Sequence, residues 1–466
     1  DRSVSRGLGD VYKRQTSQWS SMPASCNEYP VLEWEHSFGG TSFESAYDVV
    51  ATPDGGTITV GHQILEGAAV TNEHAIQEIY MAKYNDDGSL SWDKFIGGSG
   101  GDFVNAIKMT NDGNYIIAGY TESTDGDITA GNQGGTDMLV IKIDPNGNIL
   151  WHNTLGGSEG EIAYDIAPTN DGGYIVVGDA NSNDGDIVSD SVSGQDFWIV
   201  KLDANGNLVW ENKIGGDAKD EAFAVQQTSD NGYIVVGSTG SSSSDQVSVG
   251  TNGSEDYWIV KLDASGNIIW DRTLGGTLSD IGRDVVETVD GDFLITGNAK
   301  SIDGDVANPS TNPLGNSIVW LLRLDATGTL VWQKAFTGTN QEIGYDIQAT
   351  ADGGYVLANS SSSNDGDASM NQGDEDVWVV KLDANADIVW EKSIGGSSAE
   401  GGVAIAETVN EDYVVVGYTL SSDGDVSNNA GSLDGWIAKL NLTPVTALFS
   451  FNGVGLNGSS LSLIHI

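Results

Sequence analysis

Short apolar runs of about seven residues recur along the chain, and turns rich in Gly, Asn and Asp separate them. In one copy of the pattern the four runs lie at 163–169, 173–179, 197–203 and 208–214. Runs of this length, rich in β-branched and aromatic residues and bounded by turn residues, predict β-strands, and no helical period competes with them. The turns at 170–173 and 203–207 place Gly where tight hairpins need a positive φ. The pattern predicts an all-β fold.

A tryptophan marks one run of each copy and returns seven times, at intervals of 58 to 62 residues. These residues are Trp34, Trp92, Trp151, Trp210, Trp270, Trp332 and Trp390. A repeat of about this length that holds four short strands is typical of a propeller blade. The first tryptophan run, at 31–38, has no partner runs before it, and the last unit lacks a tryptophan run. The order predicts a seven-bladed β-propeller with four antiparallel strands per blade, closed by the N-terminal strand joining the last blade.

Three phrases of the repeat carry a family resemblance. They are Gly156-Gly-Ser-Glu-Gly-Glu-Ile-Ala-Tyr-Asp-Ile, Asp171-Gly-Gly-Tyr-Ile-Val-Val-Gly and Asp196-Phe-Trp-Ile-Val-Lys-Leu-Asp. On these phrases the chain resembles the bacterial SBBP-type seven-bladed β-propeller repeat over residues 31–442. Its Asp-Gly-Asp variant resembles secreted and surface proteins of Bacteroidetes-type bacteria, so the resemblance implies a secreted or cell-surface location. It implies little about activity, because a propeller is a scaffold whose function lies in its loops.

Both ends of the chain depart from the repeat. Residues 1–15 and 461–466 resemble translated sequencing-adaptor sequence and are interpreted as non-native tails. Residues 16–30 are interpreted as a linker, and 443–460 as a linker or the start of a further domain. We therefore expect a monomeric propeller within a larger surface protein, whose export signal is not present in this fragment.

The composition narrows the range of partners. With 67 acidic and 20 basic residues, the formal net charge is −47, which argues against nucleic acid or an anionic membrane as partner. The charge favours cations and cationic ligands, and a surface adapted for solubility is the alternative interpretation. No apolar run is long enough to span a bilayer. The single cysteine, Cys26, excludes an internal disulfide.

One carboxylate recurs in every unit, four positions after the second residue of a Gly-Gly pair or its Thr337-Gly338 equivalent. The set is Glu44, Asp102, Glu161, Asp220, Asp280, Glu342 and Glu400. These residues lie where the outermost strand of one blade passes to the innermost strand of the next. One interpretation is an acidic ring at the mouth of the central channel that holds or guides a cation. The favoured interpretation is structural, because each carboxylate can accept backbone N–H groups of its own glycine loop.

A second acidic set consists of Asp-Gly-Asp sequences between the second and third strands of five units. Its members are Asp125, Asp127, Asp184, Asp186, Asp303, Asp305, Asp365, Asp367, Asp423 and Asp425. Hard oxygen ligands around a glycine turn suit Ca²⁺, which makes calcium a candidate cofactor. The spacing is not that of an EF-hand, and an Asx-type turn without metal is the other interpretation. A further acidic residue precedes the third strand in six units, Ile318 being the exception: Glu78, Asp137, Asp196, Asp256, Asp376 and Asp434.

Strand order brings these acidic sets to one face. We call the segment that leads from the outermost strand of one blade to the innermost strand of the next a blade crossing. In a four-stranded meander the loops between the second and third strands lie on the same face as the blade crossings. The short turns lie on the opposite face. We call the former the long-loop face. Ligand binding is expected there, at positions where the units differ from one another.

A basic residue recurs in the third strand of every unit: Lys83, Lys142, Lys201, Lys261, Arg323, Lys381 and Lys439. We expect these cations to form ion pairs between blades. We also expect the seven repeated tryptophans to pack between blades rather than to form a sugar platform. The same expectation applies to the third-strand tryptophans Trp198, Trp258, Trp320, Trp378 and Trp436.

No catalytic constellation can be assembled from the motifs. The histidines His36, His62, His74 and His152 lack metal-ligand spacing, and no Gly-x-Ser-x-Gly, P-loop or HExxH motif occurs. We therefore assign no catalytic residue and expect an extracellular binding or adhesion module, supported by Ca²⁺, for a glycan or protein ligand. One alternative is a glycosidase or lyase that uses a pair of acids on the long-loop face. The other is a structural spacer without a ligand.

Overall fold

A computed structural model describes residues 28–64, 77–188, 194–242, 247–248, 250–306 and 315–444. Val31–Asn441 form one compact unit. The other unit is Asp1–Pro30 with Leu442–Ile466, and the expected tails and both expected linkers fall within its bounds. Residues 1–27 and 445–466 lie outside the described residues. No helix that could cross a membrane occurs in the described part of the chain.

The described residues form 28 strands. The first fourteen are β1 Glu28–Phe38, β2 Ser45–Ala51, β3 Thr57–Ile64, β4 Gln77–Tyr84, β5 Leu90–Ile96, β6 Asp102–Met109, β7 Tyr115–Thr121, β8 Asp137–Ile143, β9 Ile149–Leu155, β10 Glu161–Pro168, β11 Tyr174–Ala180, β12 Asp196–Leu202, β13 Leu208–Ile214 and β14 Asp220–Gln227. The others are β15 Tyr233–Thr239, β16 Asp256–Leu262, β17 Ile268–Leu274, β18 Asp280–Glu287, β19 Phe293–Ala299, β20 Ile318–Leu324, β21 Leu330–Phe336, β22 Glu342–Ala349, β23 Tyr355–Ser361, β24 Asp376–Leu382, β25 Ile388–Ile394, β26 Glu400–Glu407, β27 Tyr413–Thr419 and β28 Asp434–Pro444.

These strands form seven antiparallel sheets of four strands, which we number as blades 1 to 7. Blade 1 is β2 to β5, and each following set of four consecutive strands is the next blade up to blade 6. Blade 7 has the order β26-β27-β28-β1, so the N-terminal strand is its outermost strand. The predicted seven-bladed propeller and its mode of closure are confirmed. Closure by the N-terminal strand joins the two ends of the repeat, which leaves no blade incomplete.

The hydrophobic core lies between blades because both faces of each sheet are covered. Every residue of β11 and β12 is buried, whereas β13, the outer strand of blade 3, is partly exposed. One cluster joins Ile116 and Val140 of blade 2 to Val176 and Trp198 of blade 3. Continuous apolar runs in the second and third strands therefore reflect burial on two sides.

The repeated tryptophans pack between blades, as predicted. Trp34 of β1 lies against the β4–β5 turn of blade 1, where a Cβ atom on Gly88 would be 2.7 Å from its indole Cγ. Gly88 has a φ of +80°, and Ala386 adopts a φ of +58° at the equivalent turn of blade 6. The third-strand tryptophans are fully buried, and Trp198 Nε1 donates to Glu211 Oε2 at 3.0 Å. Their recurrence therefore has a structural cause.

The prediction of ion pairs between blades is wrong for most of the third-strand cations. Lys201 Nζ lies 3.0 Å from Asp171 Oδ2, in the β10–β11 turn of the same blade. Arg323 Nε is likewise 2.7 Å from Asp292 Oδ2 within blade 5. The short turn between the first and second strands folds back beside the third strand, so its aspartate is the nearest carboxylate. Lys439 of blade 7 also reaches blade 1, where its Nζ is 2.5 Å from an oxygen of Asp86.

Candidate functional site

The first acidic set is buried inside the blade crossings. Asp102 Oδ2 accepts the backbone N–H of Gly98 at 2.8 Å and the hydroxyl of Ser123 at 2.8 Å. Glu161, Asp220, Asp280, Glu342 and Glu400 accept the equivalent glycine N–H at 2.6 to 2.9 Å. All seven carboxylates of this set, including Glu44, are fully buried. This geometry holds each crossing to the start of the next inner strand.

The Asp-Gly-Asp sequences form hydrogen bonds with the same crossings. Asp184 Oδ1 accepts the N–H of Ser158 at 2.7 Å, while Asp186 donates its own N–H to the Gly156 carbonyl at 2.9 Å. Gly185, between the two, has a φ of +69°, and a Cβ atom there would be 2.2 Å from the Gly156 oxygen. The remaining members, Asp125, Asp127, Asp303, Asp305, Asp365, Asp367, Asp423 and Asp425, repeat these two bonds. The glycine between the two acids is therefore required by the turn.

No cluster of three or more His, Cys, Asp or Glu residues with metal-binding geometry occurs among the described residues. In the Asp-Gly-Asp loops the first carboxylate already accepts a backbone N–H. Calcium binding by these loops stays a prediction.

The acidic residues before the third strands form pairs with the first acidic set. A Cβ atom on Gly156 would be 2.5 Å from Asp137 Oδ1 and 2.7 Å from Glu161 Oε2, so these two oxygens lie within about 5.2 Å of each other. Burial, with the nearby charge of Glu161, raises the pKa of Asp137 to about 6. In blade 5, Ile318 stands in place of the acid before the third strand, and Thr337 stands in place of the first glycine of the following crossing. The side chain of Thr337 fits because its Cβ atom does not lie between two carboxyl groups. Equivalent pairs occupy the other crossings: Glu78 with Asp102, Asp196 with Asp220, Asp256 with Asp280, Asp376 with Glu400 and Asp434 with Glu44.

A β-bulge in every innermost strand directs one side chain per blade to the central cavity. The bulge breaks the register of β2 between Ala46 and Asp48, and each of the other six inner strands has the same irregularity. Bulges re-aim side chains and are common beside functional sites. We call the bulged residues the bulge ring: Tyr47, Asn105, Tyr164, Phe223, Arg283, Tyr345 and Val403. Unlike the crossings, this ring differs from blade to blade.

The residues after four of the bulges are aspartates that form the channel floor together with one lysine. We define the channel floor as Asp48, Lys108, Asp165, Asp284 and Asp346. Each aspartate accepts a backbone N–H from the next inner strand at 2.8 to 2.9 Å, and Lys108 Nζ is 3.0 Å from Asp48 Oδ2. The floor therefore ties neighbouring blades together at the axis.

Electrostatic coupling across the floor is strong. Burial lowers the pKa of Lys108, but the negative charges of Asp48 and Asp165 outweigh this and raise it overall. Burial raises the pKa of Asp284 well above its usual range, and the neighbouring Asp346 carboxylate raises it further. Burial also raises the pKa of Asp346, so this pair of acids takes up protons more readily than isolated aspartates do.

The floor separates two chambers. The upper chamber has a volume of about 590 Å³ and reaches the long-loop face beside the β1–β2 crossing and the loop before β28. The lower chamber, about 570 Å³, is bounded by the ends of the inner strands and the short turns that follow them. The aromatic walls of the upper chamber are Phe43, Tyr47, Tyr164, Phe223, Tyr345 and Tyr418. Its polar groups include His62, Asn105 and Arg283.

The upper chamber was not predicted from the sequence, although the sequence contains a pattern that indicates it. Four units carry an aspartate four positions after the crossing carboxylate, as Asp165 follows Glu161, and an aromatic or Arg residue precedes each of them. The predicted site residues belong to the crossings, and none of the two acidic sets is among the residues that line the two chambers. The bulge ring is a set of positions at which the units differ, and ligand binding at such positions stays a prediction.

The known proteins that resemble this chain in sequence match only part of it. No family model matches the chain. The Regulatory protein FlaEY of Caulobacter vibrioides is 29% identical over 203 residues, 40% of this chain and 21% of that protein. The uncharacterized WD repeat-containing protein L264 of Acanthamoeba polyphaga mimivirus is 26% identical over 151 residues, 30% of this chain and 10% of that protein. The chain thus spans about a fifth and a tenth of these curated relatives.

Among solved structures, the WD40 domain of Neurospora crassa Pan2 has a TM-score of 0.47 at 10% identity, covering 89% of this chain and 97% of that one. Sqt1 from Chaetomium thermophilum has a TM-score of 0.42 at 12% identity, covering 88% and 90%. The seven four-stranded sheets in the described residues define this protein as a seven-bladed β-propeller. This is a repeat architecture suited to binding and scaffolding.

Proposed function

We propose that this chain is the binding propeller of a secreted or cell-surface adhesion protein of the SBBP type, and that its ligand occupies the upper chamber. The observation that carries the proposal is the aromatic chamber of about 590 Å³ at the long-loop face. Ligand sites typically span roughly 300 to 1,000 Å³ and combine apolar and aromatic walls with a few polar groups. A glycan, free or attached to a protein, suits walls made of tyrosine faces.

Variation around the bulge ring supports a single oriented ligand. The crossings repeat almost unchanged, whereas the ring alternates aromatic, amide, cationic and aliphatic side chains. Tyr164 and Phe223 lie with ring centroids 5.2 Å apart, and Tyr47 stacks on His62 at 5.4 Å. These contacts hold the walls in fixed positions without a ligand, which reduces the entropy lost on binding.

The floor acids favour binding over hydrolysis as the function of this chamber. Each aspartate of the channel floor accepts a backbone N–H from a neighbouring blade, which gives it a structural task. A glycosidase needs one acid to donate a proton and another to act as nucleophile or base. Turnover of a polysaccharide by the protein would move the proposal to the enzymatic alternative.

Replacing Tyr47 by Ala is expected to weaken glycan binding by about tenfold, because the ring supplies one wall of the chamber. The measurement is ligand-observed NMR and calorimetry with a panel of neutral and uronate-containing oligosaccharides. Gln348→Ala, a half-buried residue of the lower chamber, is the matched control and should bind like the parent. Equal loss in both variants, or no binding of any oligosaccharide, would contradict the proposal, and the second result would favour a spacer.

Calcium support is the remaining part of the proposal and is tested by melting. If the Asp-Gly-Asp loops bind Ca²⁺, the midpoint of thermal unfolding should rise with about 1 mM Ca²⁺ and fall with chelator, as weak extracellular sites do. Mg²⁺ at the same concentration controls for general screening of the −47 charge. Coincident curves in Ca²⁺ and chelator would leave the Asp-Gly-Asp loops as turns that clamp the crossings.

A further inference from the structure

Arg283 is the cation of the bulge ring, and its charge has no partner among the described residues. Its guanidinium carbon is 4.6 Å from the centroid of the Phe223 ring. Its Nε atom is buried without a hydrogen bond, in a chain with 67 acidic residues. A buried donor left unpaired destabilises the folded state, and such groups are rare. An unpaired arginine in a cavity points to a partner that comes from outside the chain.

The geometry of Arg283 suits a carboxylate. The guanidinium lies over the Phe223 ring, and this contact does not use its N–H groups as hydrogen-bond donors to a carboxylate, so they remain for a ligand. Arginine binds carboxylates through two parallel N–H···O bonds, which a lysine cannot do. Lys108 is the other lysine or arginine that lines the chamber, and Asp48 at 3.0 Å and Asp165 at 3.8 Å already neutralise it.

A second buried polar atom of the chamber lacks a partner. The Nδ1 atom of His62 has no hydrogen bond, and its ring stacks on Tyr47. Burial lowers the pKa of His62 and so favours the neutral ring, although a hydrogen bond with the Phe43 backbone opposes this shift. A neutral imidazole nitrogen suits a hydroxyl group rather than a second carboxylate. His62 belongs to blade 1 and Arg283 to blade 5, so a ligand that meets both extends across the chamber.

We propose that the upper chamber binds a single carboxylate carried on a hydroxylated six-membered ring, with Arg283 holding the carboxylate and His62 contacting a ring hydroxyl. The faces of Tyr47 and Tyr345 cover the ring. This inference rests on the proposed function, because it names the ligand class of the same chamber. Uronic acid residues of glycans and hydroxylated benzoates share this chemistry. A second carboxylate is disfavoured because the aspartates of the channel floor lie beneath.

The test is calorimetry of the full chain with glucuronic acid, glucose, 4-hydroxybenzoate and 4-hydroxybenzyl alcohol. The parent protein is expected to prefer at least one acid over its neutral counterpart by about tenfold, the discrimination that one bidentate contact provides. Arg283→Gln should remove that preference and leave the neutral compounds within about twofold. The sugar pair and the aromatic pair show which source of ring carboxylate the chamber accepts.

Two variants serve as controls. Arg283→Lys keeps the charge without the fork, so an intermediate preference is expected and shows that the chamber still folds. Arg272→Gln changes an arginine whose Nε donates to the Gly328 carbonyl at the outer edge, and it should leave the preference intact. Unchanged acid preference in Arg283→Gln would overturn the inference. So would binding of neutral sugars that Tyr47→Ala abolishes, without any gain from a carboxylate, although the proposed function would then stand. If none of the four compounds binds, the inference fails, and the oligosaccharide panel decides the proposed function separately.

Discussion

The midpoint of thermal unfolding is expected to fall as the pH rises from about 5 to about 8, because the blade crossings contain buried carboxyl groups. Burial, together with a neighbouring carboxylate, raises the pKa of Asp256 to about 6 and that of Asp376 to about 7. A group with a raised pKa binds its proton more tightly when folded. Its contribution to stability is fully present below the unfolded value near 4 and is lost as the pH passes through 6 to 7.

The effect should be large because the crossing pair is repeated. One pKa unit corresponds to about 1.4 kcal/mol, so several crossings together would lower the free energy of unfolding by on the order of 5 kcal/mol between pH 5 and pH 8. The short turns act in the opposite direction at lower pH. Hydrogen bonds from Lys83 and Thr52 lower the pKa of Asp54 to about 2, so its stabilising contribution is lost below about pH 4. A stability maximum near pH 5 is expected in urea titrations followed by tryptophan fluorescence.

A substitution at one crossing separates the paired carboxyls from the overall charge of the chain. Asp376→Asn removes a buried acid with a raised pKa, so it should stabilise the protein at pH 8 and flatten the pH profile. Asp374→Asn removes the same unit of charge from an exposed position two residues away and should leave the slope unchanged. Parallel profiles for both variants would show that general charge repulsion, rather than the pairs, sets the dependence.

Replacing Lys213 by Met is expected to cost about 3 to 5 kcal/mol of unfolding free energy at pH 8, the usual penalty for breaking a buried ion pair. Lys213 Nζ lies 3.4 Å from Asp196 Oδ2, and both side chains are fully buried. The ammonium also donates to the Gly194 carbonyl at 2.9 Å, a role that Thr154 and Ser393 fill with hydroxyls in other blades. Without the cation, the Asp196 carboxylate would remain buried beside Asp220 with no counter-charge from Lys213.

The loss should shrink at lower pH. Burial raises the pKa of Asp196 to about 6 although Lys213 opposes the shift, so near pH 5 the acid takes up a proton and no longer needs the cation. Lys219→Met is the matched control, because this lysine pairs with Glu221 at 2.8 Å but is 49% exposed, where ion pairs contribute about 1 kcal/mol or less. Equal costs for the two variants in chemical denaturation would contradict a special role of the buried pair.

Much of the fold could be predicted from the sequence because each blade repeats the same local pattern of turn residues and apolar runs. The turn residues and apolar runs placed β13 at its observed bounds and the other strands of blade 3 within two residues. The tryptophan spacing and the unpaired first run predicted seven blades and closure by β1. The third-strand lysines were predicted to pair with a neighbouring blade, and for most of them this was incorrect. Their partner depends on how a turn folds back over its own sheet.

The sequence determined the class of this protein, since strand, turn and blade number follow from local pattern and from repetition. Only the tertiary structure decided where the proposed binding chamber lies. The bulges of β14 and β18 bring Phe223 and Arg283 to the chamber that His62 of β3 also lines, although up to about 220 residues separate these three residues in the chain. Local pattern carries no information on such convergence, because the axis of the propeller exists only after the ring has closed.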